Sequence, residues 1–152
     1  MKIDTNLIKK LRDNTGAGIM ECKTALFDNK GDLKKAQECL RRLGIEKADK
    51  KAGKKTSEGV IEMYIHATGK VGAMIELSCE TDFVARTDDF KKLAHEVAMQ
   101  VASMDPKNVP ELLKQEYIRD LSMTVHELIK SVIAKVGENI VVKRFVRMEM
   151  GE

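Results

Sequence analysis

The chain has no tryptophan and only two tyrosines and four phenylalanines, so it presents few aromatic faces on which single-stranded bases could stack. Charge of one sign is not in marked excess either. The formal net charge of +3 sets up no global field that would demand nucleic acid as a partner. No apolar run approaches the roughly 18 residues that a membrane span requires, and Met1-Lys2-Ile3-Asp4 opens the sequence without a hydrophobic signal region. Cysteine is sparse: Cys22, Cys39 and Cys79 are odd in number, far apart and free of any CxxC pair. His66, His95 and His126 share no ligand-like spacing with them, so no metal centre is expected. Buried free thiols in a reducing compartment are the simplest reading. Together these absences predict a soluble, cytoplasmic chain with no membrane association, no cofactor and no direct nucleic-acid contact.

What is present is globular. Hydrophobic residues make up 43% and charged residues 34% of 152, enough for one ordinary domain or a small module joined to a modest one. Nine methionines provide either adaptable surface or core filling. Residues 1–44 read as three short helices. Asp4 or Thr5 caps the first, with Leu7, Ile8 and Leu11 on one face. Asn14-Thr15-Gly16-Ala17-Gly18 breaks it, because its glycines permit positive φ and close approach. A second helix covers Met20 to Phe27, and Asn29-Lys30-Gly31 ends it. Asp32 caps a third that carries Leu33, Ala36, Leu40 and Leu43 and stops at Gly44. So small a module buries little and should be marginal alone. Residues 45–58 read as a basic linker: between Lys47 and Lys55 five lysines stand against Asp49. A solvated face or tether is the plain reading of that run, steering toward an acidic surface comes second, and nucleic-acid binding third.

Residues 59–152 read as an α+β unit, a small antiparallel sheet packed with helices. Val60 to His66, the turn Thr68-Gly69-Lys70, and the alternating Val71 to Cys79 form a hairpin. Asp88 caps a long helix striped by Phe90, Leu93, Ala94, Val97, Ala98, Val101 and Ala102, which Asp105-Pro106 ends. Pro110 starts another helix, carrying Leu113, Tyr117 and Leu121. Thr124 and Glu127 make a capping box for a helix bearing Leu128, Ile129, Val132, Ile133 and Val136, and Gly137 stops it. Ile140 to Met150 alternates as a third strand, with Ile140, Val142, Val146, Met148 and Met150 on one side.

Between the hairpin and the long helix lies Thr81-Asp82-Phe83-Val84-Ala85-Arg86. Asp82 is expected to cap a new helical turn there, which projects Phe83 from the rim where strand gives way to helix. An apolar ring at such a place is either a core plug or an instrument for a partner. Signals of covalent catalysis are weak throughout. Gly16-Ala17-Gly18-Ile19-Met20-Glu21 is not a dinucleotide loop, since Glu21 stands where a third small residue belongs and a helix precedes it. No Ser, Cys and His arrangement marks a nucleophile with its base, and Asp88-Asp89 is explained by helix capping.

Three segments carry a resemblance: Leu11 to Lys23, Thr81 to Arg86, and Lys135-Val136-Gly137-Glu138-Asn139-Ile140. In this order, over nearly the whole chain, they are similar to the elongation factor Ts family of guanine-nucleotide exchange factors. The resemblance implies that residues 1–44 form a unit like the ubiquitin-associated fold, which docks on the nucleotide domain of elongation factor Tu. Leu11, Ile19 and Met20 match apolar contact positions, although Leu11 could equally serve to hold the three helices together. It also implies that Thr81, Asp82, Phe83 and Val84 form the second contact. There Asp82 and Phe83 enter beside the nucleotide site of a GDP-bound or nucleotide-free partner, and no residue is catalytic. Longer members add a second sheet module and a protruding hairpin. Here that contact is either absent or supplied by a second subunit. For a homodimer the third strand offers Val142, Val146 and Met148, opposed by Lys143, Arg144 and Arg147. Two other readings remain open: a module that binds ubiquitin-like or helical partners through Gly16 to Met20, and an RNA-associated ribosomal accessory protein using Lys47 to Lys55.

Overall fold

The computed structural model describes residues 1–152. Three helices open the chain: α1 (Thr5–Thr15), α2 (Ile19–Asp28) and α3 (Leu33–Lys51). Asp4 caps α1 and Asp32 caps α3, each accepting a backbone N–H. Leu11, Cys22, Ala25, Leu26, Ala36 and Leu40 close a small core between them.

The third helix does not stop at Gly44. It runs on without a break to Lys51, so the first half of the expected basic linker is helical. A mid-helix glycine costs about 1 kcal/mol relative to alanine, and the packing beyond it outweighs that cost. Ala48, four residues on, is buried within the larger core, and Asp49 pairs with Lys130 at 2.7 Å. The irregular stretch from 52 to 57 is also tied down. Asn139 Nδ2 donates to the Lys54 carbonyl at 2.9 Å, and buried Thr56 shares a 2.8 Å hydrogen bond with Ser78.

The second part is built on β1 (Glu58–Ile65), β2 (Val71–Cys79) and β5 (Ile140–Glu149), an antiparallel sheet in the order β1-β2-β5. Around it lie α4 (Asp82–Ala85), α5 (Asp88–Met104), α6 (Val109–Lys114) and α7 (Val125–Val136). Phe90, Leu93, Ala94, Val97, Ala98, Val101 and Ala102 of α5 are all buried, together with Ile75, Leu77, Ile129, Ile133 and Val142. The architecture is α+β, as the periodicity predicts. The caps of α4 and α5 lie one residue earlier than Asp82 and Asp88: Thr81 and Thr87 receive the free N–H groups. The capping box of Thr124 with Glu127 starts α7, and Gly137 ends it at φ 77°.

Two further sequence expectations are corrected. The helix expected to carry Leu113, Tyr117 and Leu121 ends at Lys114, and a two-stranded hairpin follows, β3 (Glu116–Tyr117) with β4 (Asp120–Thr124). Polar groups on α5 dictate this. Fully buried Gln100 donates through Nε2 to the Glu116 carbonyl at 3.0 Å and accepts the Ile118 N–H at 3.1 Å. Tyr117 donates its hydroxyl to buried Glu96 at 2.6 Å. Satisfying these groups requires extended backbone, which apolar spacing does not reveal.

In β5 the pairing slips between Glu76 and Leu77, whose partners are Arg144 and Val142, so Lys143 is an extra residue. Side chains beyond the bulge exchange faces. Ile140 and Val142 point into the core, whereas Val146, Met148 and Met150 are exposed. Arg147 turns inward, donating to the Ala102 carbonyl at 3.0 Å and pairing with Asp105, Glu149 and Glu152.

Candidate functional site

The end of β2 leads through Glu80 and Thr81 into the single turn of α4. Thr81 is extended (φ −126°, ψ 151°), and its hydroxyl accepts the Val84 N–H at 3.4 Å. Val84 and Ala85 sink into the main core. Phe83 points the other way and is 81% exposed, the most exposed large apolar residue of the chain. A ring so placed costs solvation free energy with no return inside the monomer. It is not a core plug. Asp82, beside it, is paired with Arg86 one turn on and also faces solvent.

The turn is held from below by the loop after α7. The Glu138 carboxylate accepts the Thr81 N–H at 2.9 Å and the Thr81 hydroxyl at 2.7 Å. Glu80 returns the gesture, its Oε1 accepting the Asn139 N–H at 2.8 Å. Charge-assisted bonds of this kind are about twice as strong as neutral ones. Cys79 donates its thiol to the Thr81 carbonyl at 3.1 Å. Burial, followed by the charge of Glu138, pushes that thiol up to about 11.

The first module contributes a second surface. At the turn before α2, Gly16 adopts φ 70° and ends α1. The carboxylate of Glu21 accepts the Gly18 N–H at 3.1 Å and is also paired with Lys47 of α3. The hydrogen bond from Lys47, then that from Gly18, holds this carboxyl below its usual range. Glu21, the residue that ruled out a dinucleotide loop, is therefore a helix cap and a tie to α3. Ile19 and Met20 are exposed at the start of α2, and Phe27 is exposed two turns later. Lys135 of α7, paired with Asp89 of α5 at 3.0 Å, lays its side chain over Gly16, and that contact seats this module on the larger part.

Of the residues singled out from sequence, Thr81, Asp82 and Phe83 gather on one rim, and Ile19 and Met20 on another. Leu11 and Val84 are not on either surface: Leu11 is 0% and Val84 5% exposed, each inside a core cluster. Leu11 holds the three helices together, the alternative reading given for it. Sequence spacing missed the clamp from Glu138, because its partner lies 57 residues earlier and no local periodicity links them. No group of three or more His, Cys, Asp or Glu side chains is placed to hold a metal ion. No helix is long and apolar enough to cross a membrane.

The sequence model of the family described as Elongation factor TS matches residues 80–152, the stretch that contains both the Phe83 turn and its clamp. Elongation factor Ts of Coprothermobacter proteolyticus is 44% identical, with the whole of both chains covered. That of Fervidobacterium nodosum is 41% identical over the whole of both, and that of Thermotoga neapolitana 43% over all of this chain and 99% of its own. These alignments extend over 195–197 positions against 152 residues here, so the relatives carry residues that this chain lacks. With full-length identity at this level, the chain belongs to the elongation factor Ts family.

Proposed function

We propose that this translation elongation factor promotes GDP release from elongation factor Tu, acting in the cytoplasm by binding the partner's nucleotide domain and disturbing its Mg²⁺ and phosphate site. The observation that carries the reading is Phe83, an exposed ring on a one-turn helix anchored by Val84 and Ala85 behind it. Guanine nucleotides are held by backbone N–H groups around the β-phosphate and by Mg²⁺ bridging phosphate and protein oxygens. A factor that displaces those elements need not touch the nucleotide. Wedging one phenylalanine between partner side chains supplies roughly 1.5–3 kcal/mol toward the displaced state. Asp82 accompanies the ring into the contact, while Ile19 and Met20 dock the first module. Coupling is reciprocal: a factor that weakens GDP is weakened by GDP in the same ratio. Exchange is therefore accelerated in both directions, and no residue performs covalent chemistry. The test is release of fluorescent GDP from elongation factor Tu with and without this protein. Stimulation is expected, and an unchanged rate would refute the reading.

The outer face of the sheet supports a second contact, between two copies of this chain. Ile61, Met63 and Ile65 of β1, Met74 of β2, and Val146, Met148 and Met150 at the β5 end are exposed side by side. The charges at the edge of this patch, Glu76 and Arg144, neutralise each other at 3.3 Å. Two such faces related by a two-fold axis bring apolar surface to apolar surface, with exposed Lys143 of β5 left as the charge that opposes the pairing. The objection raised by Arg147 does not arise, because that side chain lies on the opposite face.

A further inference from the structure

Phe83 sits on a helix of four residues, too short to hold its own geometry. Its backbone is fixed on the C-terminal side by the burial of Val84 and Ala85. On the N-terminal side the fixed point is Thr81, whose hydroxyl and carbonyl accept the Val84 and Ala85 N–H groups of α4 at the long distances of 3.4 and 3.3 Å. Its own N–H and hydroxyl make the shorter bonds, donating to Glu138 at 2.9 and 2.7 Å. By donating its proton to Glu138, the hydroxyl keeps an oxygen lone pair aimed at the Val84 N–H, which it caps. Glu138 is in turn set by its neighbour. Asn139 is 6% exposed, donates its N–H to Glu80, and donates its side-chain amide to the Lys54 carbonyl at 2.9 Å. Two crossed carboxylate contacts thus bind the loop after α7 to the loop after β2, and the turn bearing Phe83 stands on them.

We infer that Glu138 is a positioning residue for nucleotide exchange: clamping Thr81, it fixes the orientation in which Phe83 meets the partner. The inference rests on the exchange reading above and extends it to a residue whose hydrogen bonds go to this chain's own Thr81. Glu138 acts before binding, by lowering the number of conformations the rim must lose on association. Its effect should therefore pass through Phe83.

The test uses full-length protein with Glu138→Ala, Glu138→Gln, Phe83→Ala and the double variant Phe83→Ala/Glu138→Ala. Fluorescent-GDP release from elongation factor Tu is read at a factor concentration below saturation, where weaker association shows, and amide hydrogen exchange is read on the free proteins. Glu138→Ala should lower stimulated release by about tenfold, the scale of a lost charge-assisted contact. Glu138→Gln should recover most of it, since the amide can accept the Thr81 N–H and donate to its hydroxyl. In the Phe83→Ala background, removal of Glu138 should produce no further loss. The Thr81 and Val84 amides should exchange faster in Glu138→Ala while those of α5 and α7 stay protected, which separates a local release from unfolding. Undiminished release by Glu138→Ala, or additive losses in the double variant, would overturn the inference. If the wild type itself leaves GDP release unchanged, the exchange reading fails. Unchanged exchange at Thr81 and Val84 would then overturn the clamp on its own evidence.

Discussion

Phe83 and Met20 are large apolar side chains in water, and the monomer gains nothing from either. Truncating them should leave stability within a few tenths of a kcal/mol, because surface changes away from caps and cores have little effect. Replacing Met20 with Asp should weaken association with elongation factor Tu by about tenfold or more, through desolvation of a charge in the contact. Affinity from a titration checks this, and an unchanged value would remove Met20 from the docking surface. The cysteines divide by environment. Burial raises both the Cys22 and Cys79 thiols above their usual value, Cys79 to about 11, whereas Cys39 is only half-buried. Alkylating reagents attack the thiolate. At pH 8 the native protein should therefore react once, at Cys39, and all three thiols should react after denaturation, as mass spectrometry would show. The fate of Phe83 could not be decided from its own neighbourhood. The alternation of Val71 to Cys79 located the strand end, but whether the ring turned in or out depended on Val84 and Ala85 filling the core.

At the scale of elements, α3 is the feature that most changes the picture drawn from sequence. Gly44 reads as a helix stop when only local residues are counted. In the fold it lies where α3 passes close to α7, and a Cβ built on it would stand 3.4 Å from the Ala134 Cβ. That distance is ordinary contact. Gly44→Ala should therefore stabilise the protein by about 0.5–1 kcal/mol through helix propensity. Gly44→Leu should cost about 1–3 kcal/mol by forcing the helices apart. Thermal or denaturant unfolding of the pair decides: destabilisation by alanine would mean the helices are closer than 3.4 Å implies. Residues with strict periodicity were legible, as the buried stripe of α5 and the capping box of α7 show. Elements shaped by distant polar groups were not. The β3–β4 hairpin answers to Gln100 and Glu96, and the altered face of β5 answers to one extra residue, Lys143.

For the whole molecule, the continuous α3 means that the exposed patch at Ile19 and Met20, proposed to dock, and the rim at Phe83 belong to one packed body. Asp49 with Lys130 and Arg41 with Glu127 add ties between α3 and α7 along the same seam. On the proposed reading a partner would meet two surfaces whose spacing is set in advance, which spares ordering entropy on binding. The apolar outer face of the sheet extends the same logic to a second copy. Sedimentation at micromolar concentration should show a dimer, and Met74→Lys, at the centre of that face, should show a monomer. A wild-type monomer under these conditions would contradict the pairing. The central claim is that the protein opens a nucleotide site with the ring of Phe83. Its most direct test is the rate of fluorescent-GDP release from elongation factor Tu at saturating wild-type or Phe83→Ala protein. The account predicts strong stimulation by the wild type and at least tenfold less by the variant, a loss on the scale of one buried ring. Equal stimulation by the two proteins would contradict it.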